Sequence, residues 1–316
     1  MILLVTNRRD VTTDFVVAEL SRRGQSFFRF NTDVANEADL RFELSETGGQ
    51  WLLTIGDGTW LAEDFRAGYF RRPALPEAIH QVSPDYVAQV RGEWGATLNS
   101  FYSALTCNWL SRPHAIALAE DKPRQLTLAH GLGFRVPETL ISSSYKHVVD
   151  FVAVAPTIAK PVRSGQLTTG EAERIAFTSK IVGLTPEDAT AVEASPVIYQ
   201  REIEKVSDLR VTVVGERVFA CEIHQTDQPE LDWRMSDPLK LGYKSLELPE
   251  EDAARCVELV RTLDLGFGAI DLVRDRVGNL WFLEINPNGQ WAWIEHQTSL
   301  PIASAIVDIL IERAAQ

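Results

Sequence analysis

The stretch Phe282-Leu-Glu-Ile-Asn-Pro-Asn-Gly289 follows a turn and carries a carboxylate and an amide among large apolar residues. Successive side chains of a strand point to opposite faces, so Glu284 and Asn286 are predicted to share one face. An otherwise buried strand would therefore present two aligned polar groups. Such an arrangement indicates that the two groups have a chemical role. The apolar side chains predicted to share the other face are Trp281, Leu283 and Ile285.

The preceding residues supply a partner for this strand. Residues 268–273 and 279–285 flank the turn residues 275–278, which is the pattern of an antiparallel hairpin. The spacing across the turn predicts that Asp271 directly faces Glu284. Opposed residues of a hairpin have Cβ atoms about 5 Å apart, and like charges placed there are destabilising unless something offsets them.

A divalent cation would offset this repulsion. Asp271, Glu284 and Asn286 offer hard oxygen ligands on one surface, which suits Mg²⁺ because that ion often shares its ligand shell with substrate phosphates. The alternative is that one carboxylate is protonated or paired with an arginine such as Arg210. The hairpin alone leaves both interpretations open.

Four basic residues are candidates for binding an anion. Lys160 lies in a short apolar strand, where a lysine needs a partner. Arg210 lies in a half-buried strand, where a guanidinium suits bidentate binding of phosphate or carboxylate. Lys122 begins a helix and is a weaker candidate, since it could be an ordinary surface lysine. Arg234 could bind a substrate carboxylate, or it could cap a helix or pair with Asp232.

The composition narrows the classes of protein and partner. The chain has 316 residues, enough for two or three lobes, and is 45% hydrophobic and 24% charged, as in a globular protein. A net charge of −13 argues against nucleic acid as the main partner. The sequence shows no long apolar run and no basic leader. We therefore expect a cytoplasmic location and no association with a membrane. Cys107, Cys221 and Cys256 match no zinc pattern and are predicted to be buried free thiols.

The N-terminal residues predict a parallel α/β unit. An apolar strand over 2–5, a helix over 12–20 and a strand over 27–30 form a β-α-β pattern. Residues 6–10 lack the glycine-rich fingerprint that would place a nucleotide there, so the cofactor site is expected elsewhere.

The pattern resets near residues 112–113, and the chain becomes rich in β-strands from about 197. We therefore predict an α/β protein with α+β lobes in three parts. These parts are an N-terminal domain over 1–114, a central lobe over 115–196 and a C-terminal lobe over 197–316.

The order of the polar residues along the chain resembles that of the ATP-grasp superfamily. The residues concerned are Lys122, Lys160, residues 197–203, residues 208–210, Asp271 and residues 284–286. The resemblance implies an ATP-grasp fold behind a pre-ATP-grasp domain, with ATP and Mg²⁺ as cofactors. It implies that Lys122 and Lys160 contact the phosphates and that the metal ligands are Asp271, Glu284 and Asn286. The segment whose backbone would read adenine consists of Gln200, Arg201, Glu202 and Ile203.

A finer resemblance is to the microviridin-type ligases, also called graspetide or ω-ester and ω-amide peptide maturases. Three stretches carry it, residues 69–73, 232–234 and 282–291, so that it extends over nearly the whole chain. One departure is Asp208, where the microviridin enzymes are expected to have glutamate before Leu-Arg. Asp208 is grouped with the cofactor-binding residues, but its contact and the exact subgroup are left open.

The resemblance implies a reaction in which ATP converts an Asp or Glu side chain of a ribosomal precursor peptide into an acyl phosphate. A Ser or Thr hydroxyl, or a Lys amine, of the same peptide then attacks the acyl phosphate, which closes a ring and releases phosphate. Arg210 and Arg234 are expected to hold the acyl phosphate or its parent carboxylate. The leader of the peptide is expected to dock near residues 170–180 and 186–193, and a homodimer is expected.

Two other functions share some of these features. An ATP-grasp ligase that joins a free amino acid to a small molecule or to a protein C-terminus would use the same nucleotide residues. A nucleotide-binding scaffold without catalysis is the second alternative. A loss of 18 Da per ring from a precursor peptide, coupled to ADP release, would distinguish a peptide maturase from both of these alternatives.

Overall fold

The structure is a computed structural model that describes residues 1–46, 48–163, 166–169, 172–175, 178–225, 231–235 and 240–316. It contains the mixture of helix and sheet, in α/β and α+β parts, that the sequence predicts. In the described residues no helix is both long enough and apolar enough to cross a membrane. The three cysteines are buried free thiols, as predicted.

The N-terminal part contains a parallel sheet and a smaller antiparallel sheet. Its elements are β1 (Ile2–Thr6), α1 (Val11–Arg22), β2 (Phe27–Asn31), β3 (Asp39–Ser45), β4 (Gly48–Ile55), β5 (Gly58–Leu61), β6 (Ala67–Phe70), α2 (Pro84–Ala104) and β7 (Asn108–Trp109). The parallel sheet has the order β2-β1-β6-β7, and the antiparallel sheet is β3-β4-β5. Strand β1 is buried at every residue because it lies between two parallel neighbours, which confirms the predicted β-α-β opening.

The central part contains a four-stranded antiparallel sheet. Its elements are α3 (Pro113–Ala119), α4 (Lys122–Gly131), β8 (Thr139–Ser142), α5 (Tyr145–Val152), β9 (Thr157–Lys160), β10 (Gln166–Thr169), β11 (Ala172–Ile175), β12 (Ser179–Lys180), α6 (Ala189–Glu193) and β13 (Val197–Arg201). The sheet order is β12-β9-β13-β8, with β10 and β11 forming a separate pair. Strand β13 thus pairs with the central sheet, although the predicted boundary at 196/197 assigned it to the C-terminal lobe. Composition reveals that a segment is a strand, not which sheet it joins.

The C-terminal part contains a five-stranded antiparallel sheet. Its elements are β14 (Lys205–Val214), β15 (Arg217–Gln225), β16 (Leu241–Leu246), α7 (Glu250–Thr262), β17 (Phe267–Asp275), β18 (Leu280–Asn286), α8 (Ala292–Thr298) and α9 (Ile302–Ala315). The order is β16-β15-β14-β17-β18, so the strand that carries Glu284 and Asn286 lies at an edge.

Helix α9 joins the C-terminal sheet to the N-terminal sheet. Its side chains Ile306 and Leu310 are fully buried in one apolar cluster that also contains Leu4 of β1 and Phe267 of β17. Arg23, just after α1, donates to the Ser304 hydroxyl of α9 over 2.7 Å. This shared core fixes the two sheets relative to each other, so that the N-terminal domain can contribute to a site on the C-terminal sheet.

Candidate active site

A cavity of about 1560 Å³ is bordered by the central sheet, the C-terminal sheet and the N-terminal domain. Its volume exceeds the range of about 300–1,000 Å³ common for small-molecule sites, which leaves room for a nucleotide and a second substrate. Every residue predicted for the site lines this cavity. These residues are Lys122, Lys160, Gln200, Arg201, Glu202, Ile203, Asp208, Arg210, Arg234, Asp271, Glu284 and Asn286.

The hairpin of β17 and β18 places Asp271 opposite Glu284, and Asn286 opposite Ala269, as the spacing predicts. The register shifts by one residue beyond this point, because Leu283 forms a β-bulge and Leu272 pairs with Phe282. The bulge reverses the alternation that the sequence predicted.

The expectation that Trp281, Leu283 and Ile285 share one face is therefore wrong for both Trp281 and Leu283, because Trp281 pairs with Val273, which lies on the same face as Asp271. Phe282 and Ile285 point together into the core, with exposed fractions of 0% and 2%, while Leu283 lines the cavity.

The outer edge of β18 is held by helix α4 and the segment after it. Gln125 is buried, and its amide both donates to the Ile285 carbonyl over 2.8 Å and accepts from the Ile285 N–H over 3.1 Å. The Phe282 N–H donates to the Arg135 carbonyl over 2.8 Å. These contacts satisfy the backbone groups that an edge strand leaves unpaired. They also fix the strand that carries Glu284.

Gln125 is not among the residues predicted for the site. The available signal is its position three residues after Lys122, which places both side chains on one face of α4. Lys122 and Gln125 indeed contact the adjacent residues Glu284 and Ile285 of β18.

The two facing carboxylates have different cationic partners. Asp271 accepts from Arg210 Nε over 2.6 Å, so that the arginine pairing considered as an alternative is present in the structure. Burial raises the pKa of Asp271, against the opposing charge of Arg210. Glu284 lies 3.1 Å from the ammonium of Lys122. Burial would raise its pKa, but the charges of Lys122 and Lys160 outweigh that effect and lower the pKa to about 2.

Lys160 projects from β9 towards the hairpin. Its ammonium donates to the carbonyl of the bulged residue Leu283 over 3.4 Å. Burial lowers its pKa, and the charge of Glu284 opposes that shift only in part. Lys122 also donates to the Pro161 carbonyl over 3.3 Å, beside Lys160. Two ammonium groups therefore approach Glu284 from the central part of the chain.

The candidate oxygen ligands suit a Mg²⁺ ion that also binds phosphates and water, and they are too few for a metal ion held by protein side chains alone. Within the described ranges, no group of three or more His, Cys, Asp or Glu side chains could hold a metal ion. Asp271 and Glu284 add only two carboxylates, and the side-chain oxygen of Asn286 accepts from the Asn288 N–H over 3.0 Å. Mg²⁺ commonly uses one or two carboxylates together with substrate phosphates and water, which matches this set.

Two side chains of the segment 200–203 contact the central part of the chain. Arg201 lies over the Phe151 ring at 3.8 Å, and Glu202 pairs with Lys180. Gln200 is fully buried, and its side-chain oxygen has no hydrogen-bond partner in the described part of the chain. The N–H groups of Arg201 and Glu202 donate to the Glu138 and Pro156 carbonyls, both over 3.0 Å. No hydrogen bond to a described residue involves the Ile203 N–H.

Asp208 and Arg234 are both tied to a neighbouring residue. Both carboxylate oxygens of Asp208 accept from Lys205 over 2.7 Å, and burial raises its pKa against the charge of that lysine. Arg234 pairs with Asp232 through Nη2 over 2.6 Å, and this hydrogen bond raises its pKa. Its side chain is nevertheless 52% exposed and lines the cavity, so the pair with Asp232 is found and the binding of a substrate carboxylate stays a prediction.

The stretch 69–73, quoted above only for its resemblance, contacts the site directly. Arg71 has an exposed fraction of 1%, and its Nη1 donates to the carbonyls of Asn288 and Gly289 over 2.7 and 3.0 Å. Its Nε lies 3.4 Å from the buried Asp10 carboxylate. The N-terminal domain thus holds the loop that follows Asn286. The sequence showed two adjacent arginines after a buried strand, but not that their contacts lie more than 200 residues away.

Part of the region predicted to dock a leader lies outside the described residues, namely 170–171 and 176–177. Strands β10 and β11 form an antiparallel pair there, with Leu167 opposite Arg174. The second predicted element, over 186–193, is a short helical segment that ends in α6.

Comparison with known proteins agrees with this arrangement. Residues 1–117 match the model of the MvdD pre-ATP grasp domain. No curated protein matches the chain.

Three solved structures share the fold over nearly the full length of both chains. A Chryseobacterium gregarium RiPP-associated ATP-grasp ligase in complex with ADP, a leader and a core peptide has 24% identity and a TM-score of 0.89, over 99% of this chain and 96% of that one. The macrocyclase MdnB from Microcystis aeruginosa MRC has 25% identity and a TM-score of 0.82, over 98% of each chain. The ATP-grasp ligase PsnB, complexed with a variant of a minimal precursor, Mg and ADP, has 23% identity and a TM-score of 0.77, over 99% and 98%.

The family model covers the N-terminal domain, and the structural matches cover nearly the whole chain. The protein therefore has an MvdD-type pre-ATP-grasp domain and the ATP-grasp fold of the RiPP-associated ligases.

Proposed function

We propose that this protein is an ATP- and Mg²⁺-dependent ligase that activates Asp or Glu side chains of a ribosomal precursor peptide and closes ω-ester or ω-amide rings within it. The observation that carries the proposal is that two lysines, two facing carboxylates and two arginines line the same cavity. The similar ligases bound to ADP and precursor peptides support the same assignment.

The chain supplies groups that would position the triphosphate. Lys122 and Lys160 approach from the central part, and Asp271, Glu284 and Asn286 would hold Mg²⁺ on the hairpin. When bound, the metal ion would neutralise charge on the transferring phosphoryl group. The contribution of the protein is mainly positioning and fixed charge, which is the usual source of rate acceleration in phosphoryl transfer.

The backbone of residues 200–203 would read the adenine base. The side chains of Arg201 and Glu202 contact the central part of the chain, while the Ile203 N–H makes no hydrogen bond to a described residue. Asp208, paired with Lys205, would act at the edge of the nucleotide site by fixing that lysine.

Arg210 and Arg234 would hold the acyl phosphate and its parent carboxylate. Arg210 pairs with Asp271 in the structure, and it would exchange part of that contact for the substrate when Mg²⁺ engages the aspartate. Arg234 keeps its pair with Asp232 and offers its exposed side to the cavity. Neither group forms a covalent bond with the substrate, so no covalent enzyme intermediate is expected.

The test is a reaction with the product of a small open reading frame beside the gene, rich in Thr, Asp and Glu. Wild-type protein with Mg·ATP is expected to release ADP only when the peptide is present, and the peptide is expected to lose 18 Da per ring. Asp271→Asn is expected to abolish both signals. Glu258→Gln, on the exposed side of α7, is the matched control and is expected to keep them.

The alternatives give different results in the same assay. ADP release that requires a free amino acid, with mass gained by an acceptor, would show a ligase of the small-molecule or protein C-terminus type. Nucleotide binding with no turnover under either condition would show a scaffold. The domain division, the homodimer and the cytoplasmic location remain part of the proposal, and light scattering of the purified chain tests the dimer.

A further inference from the structure

Arg72 has a strained backbone at the border of the cavity. Its φ of 45° lies in the left-handed region, which non-glycine residues rarely adopt. The N-terminal domain fixes this conformation from both sides. The Arg71 N–H donates to the Val5 carbonyl over 2.8 Å, Asn7 Nδ2 donates to the Arg72 carbonyl over 2.7 Å, and the Ala74 N–H donates to the Thr32 hydroxyl over 2.8 Å. Such strain is typically retained at functional sites.

The two adjacent arginines after β6 differ in their exposure, Arg71 being buried and Arg72 exposed. Arg71 is buried against the loop after Asn286, whereas Arg72 lines the cavity. The only hydrogen bond of the Arg72 guanidinium to a described residue is from Nε to the Asn288 carbonyl, over 3.4 Å. No described carboxylate forms an ion pair with it. A guanidinium has five N–H donors, so most of those of Arg72 remain available.

Two other arginines lie near Arg72. Burial and the charge of Arg71 lower the pKa of Arg72, the charge of Asp10 opposes that shift, and the charge of Arg210 adds a smaller lowering. Arg210 is tied to the same loop, because its Nη1 donates to the Gln290 carbonyl over 3.1 Å. A bound anion would relieve this repulsion, and a planar guanidinium suits carboxylate and phosphate alike.

The position of Arg72 favours the substrate over the nucleotide. The proposed phosphate ligands Lys122 and Lys160 lie on the central part of the chain, whereas Arg72 lies on the N-terminal domain. The same end of the cavity has an aromatic wall, in which the Phe70 ring lies 5.1 Å from that of Tyr102.

We infer that Arg72 binds the acidic side chain of the substrate peptide and presents its carboxylate for phosphorylation between Arg210 and the nucleotide. This inference rests on the proposed function and assigns the substrate side of the cavity to the N-terminal domain. Arg71 acts as a positioning residue, since it holds the loop that Arg72 contacts.

The test uses Nα-acetyl-glutamate α-amide as a probe that carries one Glu carboxylate, with the corresponding glutamine compound as its neutral control. Binding is followed by the fluorescence of the tryptophans that line the cavity, Trp109 and Trp233, with and without Mg·ADP. Arg72→Ala is expected to weaken the glutamate probe about 10- to 100-fold, as for the loss of a charge-assisted hydrogen bond. The dissociation constant of Mg·ADP is expected to change less than about twofold.

Two further variants sharpen the result. Arg72→Lys is expected to bind the glutamate probe with intermediate affinity, because an ammonium keeps the charge but lacks the two-pronged geometry. Arg9→Ala is the matched control, since Arg9 lines the rim of the same cavity and pairs with Glu77. It is expected to bind both ligands like the wild type.

Three outcomes would overturn the inference: a glutamate affinity unchanged in Arg72→Ala, an equal wild-type affinity for the two probes, or a tenfold loss of Mg·ADP affinity in that variant. The last would show that Arg72 is a phosphate ligand. Failure of the wild type to bind Mg·ADP would instead contradict the proposed function. The measurements without nucleotide would still decide whether Arg72 binds a carboxylate.

Discussion

Lys160 shows how a single residue can be unfavourable for folding and favourable for binding. Its ammonium has the Leu283 carbonyl as a hydrogen-bond partner, and burial lowers its pKa. Removing a charge from water costs free energy unless a partner compensates it. The phosphates of a nucleotide would provide that compensation, so the cost of burying the charge prepares the site for an anion.

Replacing Lys160 by methionine separates these two effects. Without nucleotide, Lys160→Met is expected to unfold at the same or a higher temperature, because no charge remains to be desolvated. Mg·ATP is expected to bind about 10- to 100-fold more weakly, since a charge-assisted hydrogen bond is lost. Thermal unfolding with and without Mg·ATP measures both. A variant that is destabilised but still gains full stability from the nucleotide would contradict this role.

The lowered pKa also predicts a pH dependence. Between the folded pKa of Lys160 and the value of about 10.4 in an unfolded chain, the unfolded state binds more protons than the folded state. The contribution of Lys160 to stability therefore becomes more favourable as pH rises through that window. We expect the stability difference between Lys160→Met and wild type to shrink with rising pH in denaturant titrations. A difference that is independent of pH would show that the ammonium is not desolvated.

The elements that build the site are an edge strand and the helix that holds it. The bulge at Leu283 turns that carbonyl towards Lys160, and Gln125 of α4 occupies the outer edge of β18. Lys122, the cationic partner of Glu284, lies on the same helix. Helix α4 therefore positions both members of this ion pair.

We expect Gln125→Ala to lower the free energy of unfolding by about 1–3 kcal/mol, because it leaves the buried backbone groups of Ile285 without partners. It should also weaken Mg·ATP binding, although Gln125 is not expected to contact the nucleotide. Urea titration and calorimetry measure the two effects. Thr127→Ala, on the exposed side of α4, is the control and should change neither. Loss of stability at unchanged nucleotide affinity would show that β18 keeps its position without Gln125.

The hairpin shows what local sequence reasoning can reach. The turn and the two apolar strands predict the pairing of Asp271 with Glu284, which the structure confirms. The bulge could not be predicted from the alternation of side chains. The turn is one residue tighter than predicted and β18 has one extra residue at Leu283, so the two differences cancel at the pair of Asp271 and Glu284. Trp281 and Leu283 were therefore assigned to the wrong face, while Glu284 and Asn286 were assigned correctly.

At the scale of the whole molecule, the N-terminal domain is part of the site. Arg71 and Arg72 lie more than 200 residues from the loop they contact, and α9 packs both sheets into one core. Residue order along the chain predicted the ATP-grasp arrangement, but not these contacts, because they depend on how the sheets are packed. The same limit applies to β13, which pairs with the central sheet although the predicted boundary lies before it, at 196/197.

Arg71 tests this coupling between domains. Arg71→Ala would leave the buried Asp10 carboxylate without its cation and two carbonyls without a donor, so we expect a loss of about 3–5 kcal/mol of stability. Arg217→Ala removes a largely exposed ion pair with Asp308 and should cost no more than about 1 kcal/mol. Urea titration compares the two variants. Equal losses would contradict a special role for Arg71.

The most direct test of the account is the position of the metal ion. Crystals grown with Mn²⁺ and ADP allow the metal to be located by its anomalous scattering, since Mn²⁺ shares the oxygen preference of Mg²⁺. We predict a peak within metal–oxygen bonding distance, about 2.1 Å for Mg²⁺, of the side-chain oxygens of Asp271, Glu284 and Asn286, with Arg210 shifted from Asp271. A nucleotide bound with its metal away from this hairpin, or with the Arg210–Asp271 pair unchanged, would contradict the proposed site.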